Sequence, residues 1–215
     1  MPDPNPLDAD ERTALEAAAD TLAAEFDGVV DRTTVKQFLA TSHQRFAGHA
    51  GAATDAVERA ERHARQRLQA LTKVQGGWGD GVPVVLFLCV HNAGRSQMAL
   101  GWFNHLAAGR AVAWSGGSEP GDQINPAAVA AMAEVGIDIA REYPKPWTEE
   151  IVRAADVVVT MGCGDTCPFY PGTRYQDWEL DDPHGQGIDA VRPIRDEIER
   201  RVRKLLGELG VPIDV

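Results

Sequence analysis

The side chains best suited to catalysis lie near the middle of the chain, where Cys89 is followed by five residues and then by Arg95 and Ser96. At a junction between a strand and a helix, such a loop can turn its main-chain N–H groups inward and surround a tetrahedral anion at the positive end of the helix. Arg95 adds a planar pair of donors that fits two oxygens of a phosphate-like group. The segment therefore predicts an oxyanion site whose main-chain donors belong to Val90, His91, Asn92, Ala93, Gly94 and Arg95.

The same electric field acts on the sulfur of Cys89. Inward N–H groups, the helix terminus, Arg95 and a hydrogen bond from the Ser96 hydroxyl all favour the thiolate, which is the reactive form of cysteine. We therefore expect Cys89 to be the nucleophile that attacks the bound anion. Gly94 is expected to allow a backbone conformation that a side chain would block. His91 is expected to brace the loop rather than to act as a general base.

The chain has three cysteines, and the other two, Cys163 and Cys167, are separated by Gly-Asp-Thr. Three cysteines are too few for a disulfide scaffold, and no Cys/His partner lies at zinc-finger spacing, so no metal site is expected. The pair follows the apolar run at 156–161, which has the pattern of a buried strand. Cys163 is therefore expected at the same edge of the sheet as Cys89, and Cys163 and Cys167 could form a disulfide with each other if the segment between them bends.

The elements that carry these residues fall into two domains. Residues 1–76 show apolar positions at helical spacing and are expected to form a small three-helix bundle. The Gly-rich residues 77–81 predict a linker, and 82–215 predict the catalytic domain. The candidate first residues of the three helices are Asp8, Asp31 or Thr33, and Thr54 or Asp55.

From residue 82 onwards, short apolar runs alternate with helical stretches, which is typical of a parallel sheet covered by helices. Strands are expected at 83–88, 111–114 and 156–161, and helices at 96–108, 125–135, 148–155 and 188–209. The long stretch between the last of these strands and the last helix is expected to be irregular. Ser118 and Asn125 could contribute to the rim of the site, but neither is assigned a role.

Acidic residues dominate the charge of the chain. The 32 Asp and Glu residues exceed the 21 Lys and Arg residues, which gives a formal net charge of −11. This balance argues against non-specific binding to nucleic acid or to an anionic membrane, and no apolar run reaches the roughly 18 residues of a membrane span. The acidic, Pro-rich start contains no hydrophobic region of a secretory signal, so a cytoplasmic protein is expected.

The run VLFLCVHNAGRSQMALGWFNHLA, residues 85–107, resembles the active-site segment of the low-molecular-weight protein tyrosine phosphatase fold. It is more closely similar to the arsenate reductase branch of that fold. The phosphatases usually carry a second cysteine just before the arginine, where this chain has Gly94. The resemblance covers 82–209 and implies an α/β fold, a four-stranded parallel sheet flanked by helices, with the three-helix bundle before it.

The resemblance also implies roles for single residues. Asn92 matches the asparagine that holds the loop in its unusual conformation. Asp182, which precedes Pro183, matches the aspartate that protonates the leaving oxygen from a mobile loop. Asp181 is its competitor for that role, and without the resemblance the same residues would be interpreted as an acidic turn.

For the reductase branch, the resemblance implies a relay of thiols. Cys89 attacks arsenate, Cys163 attacks Cys89 and releases arsenite, and Cys167 then takes over the disulfide. Electrons come from reduced thioredoxin, no cofactor is tightly bound, and phosphate or sulfate binds as an analogue of arsenate.

Three alternatives stay open. In the first, Cys163 and Cys167 are inert, and a small thiol such as mycothiol or glutathione completes the reduction. In the second, the protein is a phosphatase that hydrolyses phosphomonoesters through a phosphocysteine at Cys89. In the third, the loop only holds an oxyanion, and the helical domain signals to a partner.

Overall fold

The computed structural model describes residues 7–47, 53–77, 79, 81–162 and 169–213. By its internal contacts the chain divides into two compact units, residues 1–78 and 79–215. Cys163 and Cys167 lie outside the described residues, so the predictions made for these two side chains have no structural description.

The first unit contains three helices, α1 (Ala9–Glu25), α2 (Arg32–Phe46) and α3 (Ala53–Val74). The side chains of Asp8 and Asp31 accept hydrogen bonds from main-chain N–H groups in the first turns of α1 and α2, as expected for N-caps. Each helix packs against the other two. Their apolar stripes meet in a common core that includes Leu22, Val35 and Leu68.

The second unit is built on four parallel strands in the order β2-β1-β3-β4. The strands are β1 (Val84–Cys89), β2 (Val112–Gly117), β3 (Val157–Met161) and β4 (Arg174–Asp177). Strand β2 runs three residues beyond its expected end, through Ser115-Gly116-Gly117, and β4 lies in the stretch expected to be irregular. Both departures have one cause: glycine and the polar sequence of an edge strand give no apolar signal, and pairing with neighbours decides the structure instead.

Four helices cover this sheet: α4 (Arg95–Ala107), α5 (Pro126–Ala133), α6 (Glu149–Ala154) and α7 (Ile188–Glu208). Helices α4, α5 and α7 pack on one another and share a core with Val85, Phe87 and Cys89 of β1. The alternate residues of β1 are buried as well, which is why the whole strand is apolar. Helix α6 also contacts β1.

The topology brings the reactive loop to one edge of the sheet. Cys89, the last residue of β1, is in register with Gly117 of β2 and with Met161 of β3, so three strands end together. The four-stranded parallel sheet flanked by helices, with helices preceding it in the chain, confirms the expected fold class. Among the described residues, no helix combines the length and the apolar character that crossing a membrane requires.

Candidate active site

Cys89 lies at the end of β1 and is only 3% exposed. Its Sγ is 3.0 Å from the Oγ of Ser96, in the first turn of α4. The Ser96 oxygen accepts a hydrogen bond of 2.8 Å from the Nδ2 of Asn92. Because the serine oxygen already accepts from Asn92, its own proton can point to the sulfur.

The carbonyl groups of the loop after Cys89 are turned away from the sulfur and are hydrogen-bonded. The oxygens of Val90, His91 and Ala93 accept from the main-chain N–H groups of Glu119, Gly121 and Asn125, at 2.8 to 2.9 Å. The Asn92 oxygen accepts from Gln97 Nε2 at 3.0 Å. Within the described part of the chain, the N–H groups of residues 91–95 donate to no other residue. They can therefore surround an anion next to the sulfur.

Asn92 holds the loop in this conformation. It has a positive φ of 47°, which asparagine tolerates better than most side chains. Its fully buried side chain accepts from the main-chain N–H of Lys145 and from Gln97 Nε2, each at 3.0 Å. With the bond to Ser96, one side chain connects the loop, the helix and a neighbouring segment. The contribution of Gln97 was not expected from the sequence, since a glutamine in a helix carries no distinctive signal.

Positions 117 and 94 require glycine because a side chain at either position would collide with a neighbouring residue. A Cβ at Gly117 would lie 2.5 Å from the carbonyl oxygen of Val90. A Cβ at Gly94 would lie 2.7 Å from the Cγ of Pro183. The φ of Gly94 is −131°, outside the left-handed region, so a left-handed backbone is not the reason for glycine at this position. The ring of Pro183 excludes a side chain there.

Arg95 and Asp182 face each other across the site. Arg95 is 8% exposed, and its Nη2 lies 3.3 Å from Asp182 Oδ2. The Asp182 side chain is 55% exposed, and its Oδ1 accepts from the main-chain N–H of His184 at 3.1 Å. Asp181, the competing candidate acid, lines a different cavity with Glu197 of α7. The geometry therefore favours Asp182 over Asp181 as the proton donor.

These groups enclose a hollow of about 30 Å³. A larger cleft of about 680 Å³ adjoins it and shares His91, Ala93, Asn125 and His184 with it. The rings of His91 and His184 lie 5.9 Å apart between the two spaces. The Nδ1 of His91 is 3.0 Å from the carbonyl oxygen of Glu119. Because a carbonyl can only accept, Nδ1 donates, and this contact ties the loop to the segment after β2.

The end of strand β3 brings Gly162 close to Arg95. Gly162, the first residue after β3, has a φ of 77°, and a Cβ on it would lie 3.1 Å from Arg95 Nη1. The next residue in the sequence is Cys163. In the part of the chain that the structure describes, no cluster of three or more His, Cys, Asp or Glu side chains could hold a metal ion.

Residues 84–212 match the family model described as low molecular weight phosphotyrosine protein phosphatase. The glutaredoxin arsenate reductase of Synechocystis is 37% identical over 129 residues, which cover 59% of this chain and 98% of that protein. The solved structure of a thioredoxin-dependent arsenate reductase from Corynebacterium glutamicum has a TM-score of 0.81 and 38% identity, over 92% of this chain and 97% of that one. An arsenate reductase solved in its phosphate-binding state has a TM-score of 0.53 and 34% identity, over 60% of this chain and 99% of that one.

The family match spans the whole sheet and the active-site loop, and it confirms the resemblance drawn from residues 85–107. The chain belongs to the low molecular weight phosphotyrosine protein phosphatase family.

Proposed function

We propose that this protein reduces arsenate to arsenite through a relay of three thiols, with thioredoxin as the source of electrons. Cys89 is the nucleophile, Cys163 and Cys167 resolve the adduct, and the catalytic domain is the part of the chain from residue 82 to 215. The similarity to reductases, one of them thioredoxin-dependent, supports this assignment. The N-terminal helices are left without a role.

The first step forms a bond between sulfur and arsenic. Arsenate binds to the N–H groups of the loop and to Arg95, and the Cys89 thiolate attacks the arsenic atom. One oxygen leaves as water after Asp182 donates a proton, because hydroxide is a poor leaving group. The short distance between Arg95 and Asp182 supports this division of roles, since one group binds the anion while the other reaches its outward oxygen.

The observation that carries the reductase assignment is the position of Gly162 against the guanidinium of Arg95. Cys163 is the next residue in the sequence, so a second thiol follows directly after a residue that lies against the anion-binding Arg95. In the second step Cys163 attacks the sulfur of Cys89. A disulfide forms, the sulfur–arsenic bond breaks, and its electron pair stays on arsenic, which leaves as arsenite.

The last steps restore the resting enzyme. Cys167 attacks Cys163, which releases the Cys89 thiolate and leaves a disulfide between Cys163 and Cys167. Two thiols of thioredoxin then reduce that disulfide and become oxidised themselves. The relay requires a compartment that keeps thioredoxin reduced, and we place the protein in the cytoplasm for this reason.

A phosphatase shares the first step, so the loop alone does not separate the two activities. Pro183 occupies the space that a side chain at position 94 would need, including that of the second loop cysteine that the phosphatases usually carry there. This departure from the phosphatase pattern favours arsenate reduction over phosphatase activity.

Arsenate-dependent disulfide formation tests the proposal. Reduced protein is incubated with arsenate, and the disulfides of the wild type and of Cys167→Ser are mapped by mass spectrometry. We expect a Cys163–Cys167 disulfide in the wild type and a Cys89–Cys163 disulfide in the variant. Turnover with arsenate, thioredoxin, thioredoxin reductase and NADPH is followed in parallel, with thioredoxin omitted as the control.

Other outcomes would replace the assignment. A mixed disulfide of Cys89 with added glutathione or mycothiol, with Cys163 and Cys167 dispensable, would indicate reduction by a small thiol. Hydrolysis of phosphomonoesters that needs neither downstream cysteine, without arsenate reduction, would indicate a phosphatase. Anion binding without either reaction would leave an oxyanion sensor.

A further inference from the structure

Asn125 connects the oxyanion loop to the pair Asp182-Pro183, which carries the acid and is called the acid segment below. Its main-chain N–H donates to the Ala93 oxygen at 2.8 Å. Its side-chain Nδ2 donates to the Pro183 oxygen, also at 2.8 Å, and its Oδ1 accepts from the N–H of Ala127 at 2.9 Å. We propose that Asn125 is a positioning residue for proton donation by Asp182, an inference that rests on the proposed function.

The two partners of the Asn125 side-chain amide determine which end is the NH2 group and which is the oxygen. The Pro183 carbonyl can only accept, so it must face the NH2 group, while the Ala127 N–H can only donate, so it must face the oxygen. Asparagine is thus used for two purposes at once. It is the N-cap of α5, and its Nδ2 holds the acid segment by the hydrogen bond to the Pro183 oxygen. An aspartate or a serine could serve as the cap but could not hold Pro183, since one lacks a donor and the other is too short.

Few other contacts hold the Asp182 side chain in place. It is more than half exposed, and its described contacts are the N–H of His184 and the guanidinium of Arg95. The guanidinium is also a binding group for the substrate, so its contact with Asp182 must change when the anion enters. The main chain at Pro183 remains. Its oxygen accepts from Asn125 Nδ2 and, within its own turn, from the Gln186 N–H at 3.2 Å, and its ring lies against Gly94.

The placement of this segment sets the rate of the proton transfer. A general acid must come within about 2.6–3.2 Å of the oxygen that it protonates. A misplacement of about 1 Å can lower a rate about 100-fold. Loss of the hydrogen bond from Asn125 Nδ2 to the Pro183 oxygen should therefore reduce turnover. The main-chain donors of the anion site should stay unchanged, because the N–H of residue 125 still donates to the Ala93 oxygen.

A double-mutant cycle between positions 125 and 182 tests the inference on the full-length protein. Asn125→Ser keeps the helix cap and removes the contact with Pro183. We expect Asn125→Ser to lower arsenate turnover at saturating arsenate about 10- to 100-fold and Asp182→Asn to lower it about 100-fold or more. In the double variant the serine should have no further effect, because the acid through which position 125 acts is gone.

Two further measurements separate positioning from folding. The rate at which iodoacetamide alkylates Cys89 needs no proton donor and should stay within about twofold of the wild type in Asn125→Ser. The urea midpoint of unfolding should change little, because serine is also a good N-cap. Wild-type turnover in Asn125→Ser, or losses that multiply in the double variant, would overturn the inference.

The two proposals fail in different ways. If the wild type reduces no arsenate but hydrolyses phenyl phosphate, the proposed function is wrong, and the same cycle is measured on the hydrolysis, which needs the same acid. If the wild type does neither, both proposals are wrong. If the wild type reduces arsenate and Asn125→Ser does so equally well, the positioning role alone is wrong.

Discussion

The Oγ of Ser96 lies 3.0 Å from the Sγ of Cys89 and accepts a hydrogen bond from Asn92 on its other side. The hydroxyl proton is therefore directed to the sulfur, in a place from which bulk water is excluded by burial. A hydrogen bond to a charged group contributes about 1.5–3 kcal/mol. Ser96 is thus the side chain that we expect to donate to Cys89 when its sulfur reacts as a thiolate.

The first prediction concerns this contact. Ser96→Ala should lower the rate of Cys89 alkylation by iodoacetamide at pH 7 about 10- to 100-fold, because the thiolate loses its one side-chain donor among the described residues. Ser115→Ala is the matched control. The Ser115 hydroxyl is buried in β2, the neighbour of the strand that carries Cys89, and it has no hydrogen-bond partner in the described part of the chain. Equal alkylation rates in Ser96→Ala and Ser115→Ala would show that the hydroxyl has no influence on the sulfur.

The second prediction concerns the close approach of Pro183 to Gly94. A Cβ at position 94 would lie 2.7 Å from the ring, so Gly94→Ala must displace either the loop or the acid segment. We expect the acid segment to move, because the loop is fixed by the hydrogen bonds of its carbonyl groups. Turnover should then fall about 100-fold, while Cys89 alkylation changes much less.

Gly121→Ala is the control for that substitution. A Cβ on Gly121 would make ordinary contacts at 3.8 to 3.9 Å with the same loop, and its φ is not in the left-handed region. It should therefore keep nearly full activity. Comparable losses in the two variants would mean that any added side chain near the loop is harmful, and the specific role of Pro183 would be lost.

The sequence was sufficient to predict the position of the loop between a strand and a helix, because its parts are adjacent in the chain. Cys89, Arg95 and Ser96 fall within eight residues between an apolar run and a helix, and that order alone defines a strand, an anion loop and a helix terminus. The contacts of Asn125 with Ala93 and Pro183 join three separate segments, and no local pattern records such a contact. They depend on how the strands end together at one edge of the sheet.

The same limit explains why strand β4 was not predicted and why the residue that excludes a side chain at Gly94 was not identified. Strand β4 has the sequence RYQD, which carries no apolar periodicity, and it forms because β3 offers an edge to pair with. At Gly94 the sequence predicted that a side chain would be blocked, but not that the ring of Pro183, 89 positions later, blocks it. Predictions of this kind require the tertiary structure, since the neighbour that excludes the side chain is distant in sequence.

The third prediction concerns Asn92 and stability. Asn92→Ala removes the buried acceptor of the Lys145 N–H, one acceptor of Gln97 Nε2 and the donor to Ser96, and it puts alanine at a φ of 47°, which asparagine tolerates better. The free energy of unfolding should fall by about 3 kcal/mol, measured by urea titration of the fluorescence of the buried Trp114 and Trp178.

Asn92→Gly separates the two contributions. Glycine loses the same hydrogen bonds but accepts the positive φ without strain, so it should be about 1 kcal/mol more stable than the alanine variant. If the glycine variant is as stable as the wild type, the hydrogen bonds of Asn92 contribute nothing. If the alanine variant is the more stable of the two, the backbone argument is wrong.

The last prediction concerns an ion pair between the end of α5 and α7. Glu134 accepts from Arg192 at 2.6 and 2.9 Å and from Arg195 at 3.1 Å. The hydrogen bonds and the charge of Arg192, followed by those of Arg195, lower the pKa of Glu134 from 4.5 to about 2. A carboxylate whose pKa is lower in the folded state stabilises the fold above its unfolded pKa and loses that effect as the pH falls towards the folded pKa.

Glu134→Gln should therefore be less stable than the wild type at pH 7, and the difference should shrink as the pH falls from about 4.5 to about 2. Urea titrations at pH 7, 5 and 3 measure this difference directly. Glu149→Gln, which removes an exposed pair with Arg153 within α6, is the control and should change the free energy of unfolding by less than about 0.5 kcal/mol at each pH. A difference for Glu134→Gln that persists or grows in acid would mean that the pair with Arg192 is not what stabilises this junction, because only the ionised carboxylate can take part in it.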